Sequence, residues 1–302
     1  MGQKHISVAG ANTLLGQHFL ARTAADKAIV IDSFHSEMCE GGDSYSMEKT
    51  PWQVDTAIAE HYAKVPVLRV DSSPLAPILI SFLPDRIGEK TEKIHLARGT
   101  RLITHCEYAR YKAPLAVPGV LPIEPSAGFL ATPNCTTAMC ALPLHHLHKE
   151  HKIRAVTITT LQAISGTDLP GMPAHTIHDQ VIGHLEGEAE TLTSELNLIF
   201  NNAFVLNSFA TRVPVWRGHT ITMAISFANK TDAKAARHTL ARTSNIEFKN
   251  QTARDNFSSY WPMSTITNIR DGNDAVLIVL KGDNLEAATT GIMHEIVHML
   301  TF

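Results

Sequence analysis

An α/β architecture, in which a doubly wound parallel sheet is followed by an α+β domain, is predicted by three observations. Short apolar strands alternate with helical stretches through the first part of the chain. A Pro-rich stretch, PLAVPGVLPIEPSAGFLATPN, then changes the texture. Beyond it the strand-like segments are β-branched and alternating, as in a mixed or antiparallel sheet. With 302 residues and 44% hydrophobic content, the chain is large enough for two domains and a sizeable core.

HISVAG (5–10) reads as a short buried strand, followed by a turn and the apolar helical stretch LLGQHFLARTAA, the opening of a βαβ unit. AIVIDS supplies a second strand ending at Asp32 and Ser33, and PILISFLP a third buried strand ending at Pro84. The helix-like EKTEKIHLARGT leads into RLITHC. Strands and helices in this order predict a Rossmann-type nucleotide-binding domain. Its boundary is placed near Pro133, giving residues 1–132 and 133–282. In the second part TTAMCALPLHHLHKEH is helical, while AVTITTLQAI, TITMAISFA, NIEFKN and DAVLIVLKG read as strands. The final segment, 283–302, containing NLEAATTGIMHEIVHML, has helical spacing and is expected to complete the first domain.

The formal charge of −3, from 29 acidic and 26 basic side chains, offers no basic field for nucleic acid. Cys39, Cys106, Cys135 and Cys140 form no CxxC pair, so free thiols in a reducing compartment are expected, the cytoplasm by default. The N-terminus lacks a continuous apolar core for a leader, and no run approaches the roughly 18 apolar residues of a membrane span. Ile6 stands where a myristoylation signal needs Ser or Thr.

Three motifs carry chemistry. The turn Gly10-Ala11-Asn12-Thr13-Leu14-Leu15-Gly16 follows a strand and opens a helix, where backbone N–H groups cradle a pyrophosphate or merely close an ordinary βα turn. Cys135, in Pro-Asn-Cys-Thr-Thr, is either a buried structural cysteine or a nucleophile at a helix N-terminus, where the dipole lowers a thiol pKa. Cys140, among apolar neighbours of the same helix, reads as core. Gln162 in LQAISG and the run from Arg212 to His219 complete a set suited to acyl transfer: a thiolate attacks a carbonyl, a histidine handles a proton, and an arginine grips a carboxylate. His145, His146, His148 and His151 share helical spacing, but no carboxylate or cysteine repeats with them. A solvated helix face is the expectation there, and no metal site is assigned.

The segments PNCTT, TITTLQAISGTDLPGMPA, EGEAETLTSEL, RVPVWRGHT and GDNLEAATTG, in this order, resemble aspartate-β-semialdehyde dehydrogenases, especially the archaeal and fungal branch. The resemblance implies an NADP-binding Rossmann domain, a catalytic and dimerisation domain, a homodimer or homotetramer, and reductive dephosphorylation of aspartyl phosphate to the semialdehyde. It implies Cys135 as nucleophile, Gln162 as the residue orienting substrate and His219 as acid/base. Arg212 is assigned to the α-carboxylate, Glu188 to the amino group and Arg110 to phosphate. The cofactor falls to Gly10, Asn12, Thr13, Leu14, Leu15, Gly16, Ser33, Ser165, Gly166 and Asn284. The implied mechanism forms a thioester on Cys135, with His219 first removing the thiol proton.

The chain departs from the family pattern at Thr191, where Lys is usual, at Thr104-His105-Cys106-Glu107, where Ser-Asn-Ala-Ser is usual, and at Gly119, where Glu is common. These changes keep open another acyl phosphate or thioester as substrate, or a non-reducing paralogue. The choice between NADP and NAD also stays open. Asp32 at a strand end would accept a bond from a ribose 2′-OH and favour NAD, whereas Ser33, His35 and Ser36 suit a 2′-phosphate.

Overall fold

The computed structural model describes residues 2–37, 43–44, 54–167, 171–249 and 263–301. Two compact units divide it, one of Met1–Pro133 with Thr289–Phe302, the other of Asn134–Ala288.

In the first unit the elements run β1 (Lys4–Ala9), α1 (Leu14–Ala24), β2 (Ile29–Ser36), β3 (Asp43–Ser44), α2 (Thr56–His61), β4 (Pro66–Arg69), β5 (Ile78–Ser81), α3 (Asp85–Ala97), β6 (Arg101–Thr104) and β7 (Phe129–Ala131). The seven-stranded sheet has the order β3-β4-β2-β1-β5-β6-β7. Every neighbouring pair is parallel except β3 with β4. The parallel strands thus follow the doubly wound nucleotide-binding order, with the switch point between β1 and β5. Ile6, Val8, Ile31, Ile78, Leu79, Ile80 and Ile103 are all buried, which explains why these strands read as apolar runs rather than alternations.

One strand limit and one connection differ from the sequence reading. β2 continues to Ser36, because Phe34, His35 and Ser36 pair with Val67, Leu68 and Arg69 of β4. Asp32 therefore lies inside the strand, with its carboxylate 2.9 Å from His5 Nδ1, and is not the acidic residue at the strand end. Ser33 is fully buried; its hydroxyl bonds Ser7 Oγ at 2.8 Å and His35 Nε2 at 3.1 Å, so it lines the core rather than an open cofactor cleft. The Pro-rich stretch is not a simple crossing between domains either. It carries β7, and Leu115 bridges to Ala131.

The second unit holds α4 (Cys135–His151), β8 (Ile153–Gln162), α5 (Ala174–Ile177), α6 (Glu188–Phe200), β9 (Val205–Arg212), β10 (His219–Phe227), α7 (Ala233–Ala241), β11 (Ile246–Phe248), β12 (Ser264–Asp271) and β13 (Val276–Gly282). Its six-stranded mixed sheet is ordered β11-β12-β13-β10-β8-β9. Val156, Ile158, Ile221, Met223, Ile225, Ile278 and Leu280 point to the buried face, where α4 contacts β8, β10 and β12. On the other face Phe209 and Val205 of the edge strand β9 stay exposed. The α4 histidines do not form a solvated face. His148 Nδ1 accepts the Ile153 N–H at 3.2 Å and packs against Phe204, while His151 Nε2 meets Thr239 Oγ1 at 2.8 Å.

Residues 283–288 pack in the second unit, not with the first as the sequence reading placed them. Asp283 is the reason. Its buried carboxylate pairs with Arg217 and accepts the N–H groups of Leu285 and Glu286. The chain returns to the first unit through the end of a π-helical turn (Glu286–Thr290) and α8 (Gly291–Met299), which contacts α1. Lys4 Nζ bonds the carbonyls of Val297, His298 and Leu300, satisfying three of the acceptors that a helix C-terminus leaves open. No helix among the described residues is long and apolar enough to cross a membrane. Cys106 and Cys140 are buried free thiols, and Cys135 is a half-buried one. Cys39 lies outside the described residues.

Burial, and secondarily the nearby His95, pushes the His35 imidazole down to about 4. An unfolded chain binds that proton near pH 6.5. Between the two values the unfolded state holds more protons, so stability is complete above about pH 6.5 and falls as pH drops towards 4. The slope is about 1.4 kcal/mol per pH unit for this one group. The melting temperature of His35→Gln should accordingly fall less between pH 7 and pH 5 than that of the parent; identical acid sensitivity would show that His35 is not responsible.

Candidate active site

Cys135 is the first residue of α4, and the local sequence places it there. Asn134 is the N-cap, with extended backbone and a side-chain oxygen that accepts from Thr136 N at 2.9 Å and Thr136 Oγ1 at 2.8 Å. The Asn134 N–H is itself held by the buried Glu195 carboxylate at 2.8 Å. The Cys135 sulfur thus sits at the positive end of a helix, where negative charge is stabilised.

His219, the first residue of β10, brings its Nε2 to 3.4 Å from Cys135 Sγ. Its Nδ1 accepts the backbone N–H of Ala163 at 3.0 Å. A neutral ring accepting at Nδ1 carries its proton on Nε2, facing the sulfur. Burial, with the Arg212 charge as a lesser cause, holds the imidazole down at about 3. The ring is therefore neutral at physiological pH.

Gln162 and Arg212 come together because β8 and β9 are parallel and in register, with these two residues as partners. Arg212 Nη1 donates to Ala163 O at 2.8 Å and to Gln162 Oε1 at 3.3 Å. Gln162 Nε2 in turn donates to Glu188 Oε2 at 3.1 Å. Glu188 opens α6, and Thr191 follows one turn later on that helix. The Arg212 side chain is buried, yet its Nε has no hydrogen-bond partner.

Gly166 ends the short helical turn Ile164–Gly166, and a Cβ there would stand 2.8 Å from Arg212 Nη1 and 3.4 Å from His219 Cε1. Only a glycine leaves that space clear. Ser165 Oγ meets Asn284, whose Oδ1 also accepts the Gly218 N–H at 3.0 Å. This ties the turn after β8 to the segments before β10 and after β13. Cys135, His219, Gln162, Arg212, Glu188, Ser165, Gly166 and Asn284 thus lie in one unit, and bonds or close approaches link them.

The remaining sequence-assigned residues belong to the first unit. Gly10 has φ +74°, and a Cβ on it would stand 2.6 Å from Phe82 O. At Gly16 a Cβ would come within 2.2 Å of Gly10 O. Both positions require glycine, the first for backbone conformation and the second for close packing of helix on turn. Thr13 caps α1, its hydroxyl accepting from Gly16 N at 3.1 Å, while Asn12, Leu14 and Leu15 lie around the first helical turn. Beside the end of β2 a cavity of about 550 Å³ is lined by Ser36, Glu37, Arg69, Asp71, Arg86 and Lys90. Arg86 pairs with Glu37 at 2.8 Å. Arg110 is buried in the helical turn Glu107–Tyr111 and donates to His105 O at 3.1 Å.

Sequence reasoning missed Glu195, Arg217 and Asp283, which hold Asn134 and the Asn284 loop. Nothing local to them signals that role. The partner of Asn134 is 61 residues away along the chain, and Arg217 is 66 residues from Asp283.

No family model matches the chain. Curated relatives do. The aspartate-semialdehyde dehydrogenase of Methanothermobacter thermautotrophicus is 25% identical over 261 residues, covering 78% of this chain and 75% of its own. That of Archaeoglobus fulgidus is 28% identical over 256 residues, covering 77% and 74%. Among solved structures, aspartate semialdehyde dehydrogenase with NADP from Candida albicans has a TM-score of 0.84 and 20% identity, covering 99% of this chain and 98% of that one. The fold, the Pro-Asn-Cys-Thr-Thr turn and these relatives agree in a single likeness, to the aspartate-semialdehyde dehydrogenases.

Proposed function

We propose that this chain reduces L-aspartyl 4-phosphate to L-aspartate 4-semialdehyde with NADPH, through a thioester on Cys135. The observation that carries the reading is the buried Arg212, whose Nε lacks an acceptor and whose Nη1 shares Gln162 with the carboxylate of Glu188. A buried donor left unsatisfied costs about 1–3 kcal/mol, which a bound carboxylate would remove. A guanidinium and a carboxylate on either side of one amide match the two charges of an α-amino acid. The thiol that completes such a site lies 3.4 Å from His219.

The glycine cradle at Gly10 and Gly16 fits a dinucleotide, with the first-turn amides of α1 facing pyrophosphate. Ser36, Arg69, Arg86 and Lys90 at the end of β2 suit a 2′-phosphate, with Glu37 already engaged by Arg86. Ser165, Gly166 and Asn284 would border the nicotinamide, which when bound supplies a hydride. NAD loses its main argument because Asp32 is not at the strand end.

In the chemical steps, the Cys135 thiol releases its proton to solvent, and the helix dipole and the His219 Nε2–H stabilise the thiolate that remains. The sulfur attacks the acyl carbon, a C–S bond forms, and phosphate leaves with the electrons of the C–O bond. Gln162, held from both sides, fixes the position of the acyl group. The Thr191 hydroxyl offers phosphate a neutral bond where the family's usual Lys makes a charge-assisted one, and Arg110 is the arginine that the resemblance assigns to phosphate. His219 acts as a donor to the sulfur and to developing negative charge, since its Nδ1 is already an acceptor; this replaces the expectation that it first removes the thiol proton. Once the thioester carbon has received a hydride, the carbonyl re-forms as the aldehyde, the C–S bond breaks, and Sγ departs as a thiolate towards the same N–H.

A homodimer is part of the proposal. Phe209 and Val205 are exposed on β9, on the sheet face that also carries Thr157, Thr159, Thr222 and Val279. Such a face, small and apolar at its edge, fits a second copy of itself about a two-fold axis. Phe209→Arg should shift sedimentation from dimer to monomer at micromolar concentration; an unchanged sedimentation coefficient would remove this face from the interface.

The reverse reaction tests the function directly, with semialdehyde, phosphate and NADP or NAD, followed by absorbance of the reduced nicotinamide. NADP should serve better than NAD, and Cys135→Ala should lose turnover while retaining NADPH binding by fluorescence titration. Turnover that survives in Cys135→Ala would refute the thioester. Arg212→Lys keeps the charge but not the two-pronged geometry, so kcat/KM should fall roughly 100-fold, about 2.7 kcal/mol, chiefly through KM. Equal rates on substrates with and without an α-carboxylate would remove Arg212 from substrate recognition.

A further inference from the structure

In the first unit, away from the residues assigned to the dinucleotide, two rings of α8 converge on one carboxylate. His294 and His298 are one helical turn apart, and their Nε2 atoms lie 2.8 and 2.6 Å from Asp26 Oδ2. The three potential ligand atoms fall within 4.8 Å of one another, the one such convergence of His, Cys, Asp and Glu among the described residues. Asp26 sits in the turn between α1 and β2, and its other oxygen accepts the Ala28 N–H at 2.9 Å, which aims Oδ2 at the rings. An outer hydrogen bond of this kind orients ligands in metal sites. The side chains of His294, His298 and Asp26 are 18%, 39% and 21% exposed, so water can reach the positions that the protein leaves open.

We propose that Asp26, His294 and His298 form a binding site for a divalent d-block cation, with zinc the best fit. Two imidazole nitrogens and one carboxylate oxygen are the donor set of a three-protein-ligand zinc site, with water in the fourth position. Hard cations such as magnesium prefer all-oxygen sites and are a poor match. His294 and His298 stand at i and i+4, the spacing at which one helix face presents two ligands. Arg22 faces His294 and opposes a cation, but Glu295 lies near the same guanidinium and offsets it. For binding, each ring gives up its hydrogen bond to Asp26 and turns its Nε2 lone pair to the metal, with the ring proton on Nδ1. Nothing in the site uses the acyl-transfer residues. Its consequence is mechanical, clamping α8 to the turn that follows α1 and stabilising the folded first unit by mass action.

The test uses the full chain in a Cys135→Ser background, which removes the reactive thiol as a competing ligand. After chelator treatment, titration with zinc chloride against a chromophoric chelator should give one tight equivalent and a raised melting temperature, with magnesium producing neither. His294→Ala and Asp26→Asn should each weaken zinc binding roughly tenfold or more, while His145→Ala leaves it unchanged. Because a ligand deletion can also disturb α8, His298→Cys provides the control. It keeps a ligand at that position, so it should retain one equivalent of metal, and cobalt(II) should then show a thiolate-to-metal charge-transfer band absent from the parent. No tight equivalent in the parent, an equivalent that persists in His294→Ala and Asp26→Asn, or cobalt bound to His298→Cys without that band would each overturn the proposal.

Discussion

Arg212 is the constraint on which the candidate site of the second unit depends. A guanidinium buried at the end of β9 must be met by acceptors, and the neighbouring strand provides them as Ala163 O and Gln162 Oε1. Those contacts fix the peptide after β8. The Ala163 N–H then holds His219 Nδ1, and His219 Nε2 in turn faces Cys135 Sγ. The path from the buried arginine to the thiol is thus a chain of hydrogen bonds through one peptide group. Gly166 keeps it unobstructed, since any side chain there would meet both Arg212 and His219.

The supports behind this chain are equally specific. Glu195 holds the Asn134 N–H, so the cap that starts α4 is itself anchored. The half-buried Arg217 pairs with the fully buried Asp283 and is joined by Glu286 at 2.9 Å. Burying ions requires this degree of pairing, because an unmatched partner would carry a desolvation penalty of several kcal/mol. The pair sets the loop that presents Asn284 to Ser165 and Gly218.

The first unit solves a different problem, the polar groups beneath a sheet buried on both faces. Glu92 is fully buried and receives Ser81 Oγ at 2.6 Å, Thr104 Oγ1 at 2.7 Å, Cys106 Sγ at 3.0 Å and Tyr108 OH at 2.8 Å. Four donors satisfy a carboxylate that would otherwise be excluded from the interior. Two of these donors, Thr104 and Cys106, belong to the run that departs from the family pattern, and Glu92 explains them. Cys106 is a structural thiol, its acidity suppressed by burial and by the Glu92 charge. Glu107 points its backbone N–H to Asp85 at 2.7 Å, at the exposed start of the turn that buries Arg110.

What the sequence determined by itself was local. Apolar runs marked the central strands β1, β5 and β13, Gly10 and Gly16 marked a turn that tolerates no side chain, and Asn134 next to Cys135 marked a capped helix start. Each follows from neighbouring residues. Tertiary structure decided what depends on pairing across the chain. β2 extends past Asp32 because β4 supplies hydrogen bonds to residues 34–36, which no feature of Phe-His-Ser announces. The α4 histidines became packing and bonding groups because Phe204, Ile153 and Thr239 happen to meet them. Arg212 reached Gln162 through the register of two parallel strands, and the proton position on His219 followed from a backbone N–H at 163. Asp26 and the two histidines of α8 lie 268 and 272 residues apart in sequence, beyond any motif. Periodicity and capping are encoded within a few residues, whereas register, burial and the partner of each polar atom exist only once distant segments are brought together.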